Sequence, residues 1–342
     1  MSRKSIVVLR ALGLGDLLTA VPALRGLRAS YPDADITLAA PSALTPIAEL
    51  AGAVDEVADT APLRPLPRAL HGADMAVNLH GRGPESIRLL IATRPRQLIS
   101  FDHDALPATR GLPRWTADEH EVTRWCRLLA ESGMRVDPSQ LGLCHPATPP
   151  PVRGALIVHP GAGSGARRWP PPRWAAVIRE LLPEGFPVVV TGTRGERTLA
   201  EQVAALAALP SGSVLAGRTD LNALAALTAS ASLVLSGDTG MAHLAAAYAR
   251  PAVTLAGPVP PRLWGPPPRP WHAVLWAGRY GDPHAAAADP GLLRISVGDV
   301  IAAAREVLAA GRFRTPCGGL GRSAMRRVSK FSDDKARCGP AR

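Results

Sequence analysis

Pro149, Pro150 and Pro151 follow one another inside the stretch ATPPPVR, residues 147–153, near the middle of the chain. Proline lacks a backbone N–H and its ring fixes φ, so three in a row extend neither a sheet nor a helix. They make a stiff spacer, and the chain must build structure separately on each side of it. Upstream, short apolar runs at residues 5–9, 35–39, 54–57, 73–79 and 98–101 alternate with helical stretches. Downstream the alternation restarts. Strand-like runs lie at 155–158, 186–191, 214–216, 231–235, 252–255 and 273–276, and helical runs at 172–182, 196–206, 221–229, 241–248 and 297–310. This order predicts α/β architecture with mostly parallel sheets covered on both faces. The expected fold is two doubly wound, Rossmann-like domains, residues 1–150 and 151–311, facing a central cleft.

A formal net charge of +11 suggests nucleic acid at first sight. Its distribution argues otherwise, because residues 312–342 hold nine Lys/Arg against two Asp. Most of the excess is therefore a basic tail without apolar periodicity, expected to be disordered. The seven tryptophans form no stripe with basic residues, so no stacking platform for nucleic acid is indicated. The four cysteines show no metal-ligand spacing, which suits a reduced, cytoplasmic protein. No apolar run reaches the ~18 residues of a membrane span. Arg10 and Asp16 interrupt the first apolar run, which excludes a signal-peptide core. Peripheral contact with a membrane face stays open.

Three stretches carry chemistry. Leu12-Gly13-Leu14-Gly15-Asp16 follows the first strand. The third glycine of a dinucleotide fingerprint would fall at Leu18, so that motif is absent. A turn ending in a carboxylate remains, with a helix expected over 19–29 and Pro22 in its first turn. Asp16 reads equally as a helix cap and as a base at the ligand-binding edge of a parallel sheet. The second stretch, residues 159–170, reads HPGAGSGARRWP. Its glycines expose backbone N–H groups, and Arg167 and Arg168 suit phosphate through paired hydrogen bonds. The third is Ser236-Gly237-Asp238-Thr239-Gly240-Met241-Ala242-His243, between an apolar run and an Ala-rich one. A helix start there can hold an anion. Asp238 could equally cap that helix, and His243 could be a core histidine. Glu196, opening a helix after TGTRG, could contact ribose or simply favour the helix N-terminus. Asp102-His103-Asp104 matches a D-x-D metal pattern but reads as a solvated loop.

The motifs VLRALGLGDLLTAVPALRGLR, LIVHPGAGSGARRWP, TGTRGE, LAGRTDLNALAALTASASLVLSGDTGMAHLAAA and AGPVPPRLWGP occur in that order. Together they resemble the heptosyltransferase-like glycosyltransferases of family 9, over roughly residues 4–310. The resemblance implies the GT-B fold and an inverting, metal-independent transferase. It needs no cofactor and takes a nucleotide-diphosphate sugar as co-substrate, ADP-heptose being one candidate. It implies a glycan or glycolipid acceptor in cell-envelope or lipopolysaccharide synthesis, and we expect a monomer that binds no nucleic acid. By position, Asp16 resembles the catalytic base. Ser164, Arg167, Glu196, Asp238, Thr239, Gly240 and His243 resemble the donor-binding set. Arg167 departs from the family's Lys, and Val259 stands where many members have Thr. A relative that binds the nucleotide sugar without turnover is the alternative.

Overall fold

The computed structural model describes residues 3–312; beyond Arg312, the expected basic tail lies outside the described residues. The first half runs β1 (Ser5–Leu9), α1 (Leu14–Ser30), β2 (Asp35–Ala40), α2 (Thr45–Ala51), β3 (Glu56–Asp59), β4 (Met75–Asn78), α3 (Glu85–Ala92), β5 (Gln97–Ile99) and α4 (Glu121–Glu131). The second half continues with β6 (Leu156–His159), α5 (Pro171–Leu181), β7 (Val188–Val190), α6 (Arg197–Leu206), α7 (Leu221–Ala229), β8 (Leu233–Gly237) and α8 (Gly240–Ala247). It ends with β9 (Ala252–Ala256), α9 (Pro261–Trp264), β10 (His272–Trp276), α10 (Pro290–Arg294) and α11 (Val297–Arg312).

Two five-stranded sheets result, ordered β3-β2-β1-β4-β5 and β10-β9-β8-β6-β7. Every strand pairing in them is parallel. The central strands are apolar and buried on both faces, as helices packed above and below require. Each sheet reverses its winding once, between β1 and β4 and between β6 and β8. Ligands of such sheets bind outside the strands' C-terminal ends at this reversal. The loops after β1, β6 and β8 are those that carry the three motifs.

Three expectations are corrected. The first helix begins at Leu14, five residues before the expected start, so Asp16 belongs to its first turn. Pro22 consequently lies inside the helix, buried, where it withholds one intrahelical N–H. Residues 214–216 form a single bridge, Val190 to Val214, in place of a strand.

The halves are not separate bodies with a polar gap. One continuous core group takes Ile6, Val8 and Ile36 from the first sheet and Ile157, Val189 and Val234 from the second. Leu17, Leu18 and Leu24 of α1 and Leu244 of α8 fill the space between. Segment 137–144 ties the seam further: the Leu143 N–H donates to the Ala247 carbonyl at 3.3 Å, and the Tyr248 hydroxyl to the Cys144 carbonyl at 3.2 Å.

Candidate active site

Asp16 sits where α1 begins. Its Oδ2 accepts the Gly13 N–H at 3.1 Å, and the carboxylate keeps 28% of its surface exposed. This bond satisfies a donor at the helix entry, and an acidic residue in a first turn also suits the helix dipole. Oδ1 lies 3.7 Å from Nη2 of Arg10, whose side chain is wholly buried at the end of β1. Arg10 also donates from Nε to the Asp16 carbonyl at 2.8 Å, and from Nη2 to Thr19 Oγ1 and Glu121 Oε1, both at 3.1 Å. A further bond runs from Nη1 to the Leu79 carbonyl. Arg10 stacks 4.8 Å from the Trp125 ring, and the Trp125 indole N–H donates to Glu121 at 2.8 Å.

Across the cleft, Thr239 caps α8, its Oγ1 accepting the Met241 N–H at 3.3 Å. Gly240 opens the helix. The N-terminus of α8 meets the N-terminus of α1 almost backbone to backbone. A Cβ on Gly240 would lie 2.9 Å from Leu14 Cβ and 3.0 Å from the Gly15 nitrogen. A Cβ on Gly15 would lie 3.2 Å from His243 Cδ2. Two positive helix ends so close repel unless negative charge lies beside them. Asp16 supplies one such charge.

Arg167 reaches the same helix mouth from the loop after β6. Its Nη1 donates to the Asp238 carbonyl at 3.3 Å, and its buried Nε has no partner among the described residues. Burial pushes the Asp238 carboxyl up to about 6, against the opposing charge of Arg167. Ser164 Oγ donates to the Pro283 carbonyl at 2.6 Å, which fastens this loop to the chain after β10. Glu196 accepts the Thr193 N–H and hydroxyl at 2.8 and 2.9 Å, as a helix-entry residue does. Its carboxylate lies against Gly161, where a Cβ would overlap it. Glu196 thus closes the capping box of the short turn Arg194–Glu196 before α6 and borders the glycine loop. Burial pulls the His159 ring down, with Glu196 opposing.

The His243 ring stands 6.4 Å from that of Trp264. Burial, with His120 nearby, lowers its pKa to about 4, so the imidazole is neutral near pH 7. His120 caps α4 by accepting the Val122 N–H at Nδ1, 3.2 Å away. That bond places its proton on Nε2, which faces the Gly265 carbonyl at 3.0 Å and joins the two halves. Asp118 and Arg262 form an ion pair beside it. A cavity of about 320 Å³ lies below this bridge, walled by Leu18, Val122, His120, His243, Ala247 and Arg262 among others.

The chain thus brings Asp16, Arg167, Asp238, Thr239, Gly240 and His243 to one helix junction, with Ser164 on the glycine loop and Glu196, from the turn after β7, bordering that loop. Asp102 does not join them; its Oδ1 accepts the Thr109 hydroxyl at 3.2 Å. Among the described residues no three His, Cys, Asp or Glu side chains group as metal ligands. Sequence reasoning missed Arg10, Glu121 and His120. Arg10 carried a readable signal, a cation ending a buried strand at the ligand-binding edge, whereas Glu121 reaches the site only through the packing of α4 on α1.

Solved heptosyltransferases share the fold of two parallel sheets. The structure of E. coli ADP-heptose lps heptosyltransferase II matches 90% of this chain and 99% of its own, with TM-score 0.73 and 22% identity. An E. coli heptosyltransferase solved with ADP matches 89% of this chain and 99% of its own, with TM-score 0.66 and 21% identity. By sequence, lipopolysaccharide heptosyltransferase 2 of Escherichia coli (strain K12) is 30% identical over 168 residues, 47% of this chain and 46% of that protein. The matched stretch thus spans about half the length of that curated relative. The model of glycosyltransferase family 9 (heptosyltransferase) matches residues 113–285, and the chain belongs to this family.

Proposed function

We propose that the protein moves a heptose-like sugar from a nucleotide-diphosphate sugar to a hydroxyl of a glycan or glycolipid, with inversion. The observation that carries this reading is the meeting of the α1 and α8 N-termini at Gly15 and Gly240, with a partly exposed carboxylate on one and the half-buried cation of Arg167 beside the other. Residues 1–150 hold the acceptor and 151–311 the donor. Asp16 Oδ1 takes the proton of the acceptor hydroxyl as its oxygen bonds to the anomeric carbon. The bond from that carbon to the diphosphate breaks, and its electron pair leaves on the phosphate oxygen. Arg167, the backbone N–H groups at Gly240 and the paired helix dipoles receive this charge without a metal. Ser164 and Thr239 contact the phosphates, Glu196 the ribose, and Asp238 and His243 the sugar side of the donor. ADP is the nucleotide proposed, because one structural neighbour is solved with it. The enzyme acts as a monomer in the cytoplasm, in contact with the membrane face that displays its acceptor. No helix among the described residues is long and apolar enough to cross a membrane.

The decisive experiment pairs Asp16→Asn with calorimetric titration of ADP and ADP-sugar. Transfer should be lost while nucleotide affinity stays within about twofold, since one buried hydrogen-bond partner is not removed. Wild-type turnover in Asp16→Asn would remove the base assignment. Transfer by the unaltered protein should persist in EDTA; abolition by the chelator, restored by a divalent cation, would assign leaving-group stabilisation to a metal. The bond from Gly13 to Asp16 favours a second reading, in which Asp16 is structural and the protein binds donor without turnover. That reading requires ADP-sugar binding with neither transfer nor donor hydrolysis in the unaltered protein.

A further inference from the structure

We infer that Arg10 and Glu121 are positioning residues for the reaction, acting through Asp16; the inference rests on the assignment of Asp16 as base. Two groups grip the Asp16 main chain: Arg10 Nε at 2.8 Å and Thr19 Oγ1 at 2.9 Å both donate to its carbonyl. The side chain is held between the Gly13 N–H and Arg10 Nη2. Arg10 therefore fixes both the carbonyl and the carboxylate of one residue. Its other bonds, to Leu79, Thr19 and Glu121, leave the guanidinium one orientation.

A wholly buried cation needs an anion, and the partly exposed Asp16 is a poor one because it must stay free for the acceptor. Glu121, 5% exposed, takes that part. It holds Arg10 through Oε1 and Arg124 through Oε2, and receives the Trp125 indole. Glu121 thus compensates Arg10, which leaves one oxygen of Asp16 available for a proton. The residue comes from α4, about a hundred positions from the loop it serves. A base held to about half an ångström is what near-attack geometry demands, and slack there costs turnover without costing donor affinity.

Glu121→Gln tests this, because the amide oxygen still accepts the Trp125 indole while the anion that balances Arg10 is lost. The expected result is a fall in kcat of about tenfold or more, the scale of a hydrogen bond to a charged group, with donor KM and ADP affinity unchanged. In the Asp16→Asn background the same substitution should leave residual turnover unaltered, since the two act as one unit. Thr19→Val, which removes one grip without touching charge, should show the same split to a smaller degree and serves if Glu121→Gln does not fold. A folded Glu121→Gln with normal kcat, or an equal fall in both backgrounds, overturns the inference while leaving Asp16 as base. Full turnover in Asp16→Asn alone overturns both.

Discussion

Asp16 Oδ2 is committed to the Gly13 N–H, while Oδ1 faces Arg10 and solvent. The two readings of this residue, cap and base, are compatible because each uses a different oxygen. The sequence left them even, and no spacing rule could have divided the oxygens between them. Asp238 shows a related tension. Its carboxyl, raised to about 6 by burial, binds a proton in the folded chain at pH values where the unfolded chain has lost it. Its contribution therefore favours folding below about pH 4 and turns against it as pH rises from there through about 6. Asp238→Asn should raise the melting temperature near pH 7.5 by a few degrees, on the scale of ~2–4 °C per kcal/mol. The gain should vanish below about pH 4, where both states of Asp238 are protonated. Melting curves across that range check it, and a gain that persists at low pH would assign the effect to packing. The sugar assignment of Asp238 predicts that this more stable variant is the poorer enzyme.

Helix ends, more than side chains, define the site. α1 and α8 approach so closely that a side chain on Gly240 would collide with Leu14, and one on Gly15 would press on His243. In an ordinary helix Gly→Ala stabilises by about 1 kcal/mol. Gly240→Ala should do the reverse, because the new methyl meets Leu14 and the Gly15 backbone within about 3 Å. We expect a lower melting temperature and a kcat reduced by about a hundredfold, the scale attached to a misplacement of about 1 Å. A stabilised, fully active variant would refute the close junction. The strand ends, the glycine loops and the Ser236–His243 turn were legible because apolar runs and glycine clusters mark them locally. The start of α1 was not. Gly13 and Gly15 have weak helical preference, and the helix begins there because Asp16 caps it and α8 packs against it. The 214–216 run falls short of a strand because it joins β7 through one bridge, Val190 to Val214, with the Leu215 N–H donating to the Val190 carbonyl at 2.9 Å.

At the scale of the molecule, each of the two sheets lies wholly on one side of the prolines at 149–151. What the sequence could not show is how the halves meet. His120 and Gly265, Asp118 and Arg262, and Tyr248 and Cys144 are pairs more than a hundred positions apart; Arg262 and Gly265 lie in the motif AGPVPPRLWGP, but their partners belong to no motif. Only folding brings α4 over α9 and the 137–144 segment over α8. The apolar group that passes between the sheets, from Ile6 and Leu24 to Leu244 and Val234, has a consequence for how the protein comes apart. Neither half can melt alone without laying bare the other's interior, so heat should dismantle both together. Scanning calorimetry should give one endotherm with equal calorimetric and van't Hoff enthalpies, and two resolved transitions would show the halves to be independent. Cooperative melting also sets the form that catalytic motion takes: the mouth of the cleft can widen, but only by pivoting about a buried spine that stays shut.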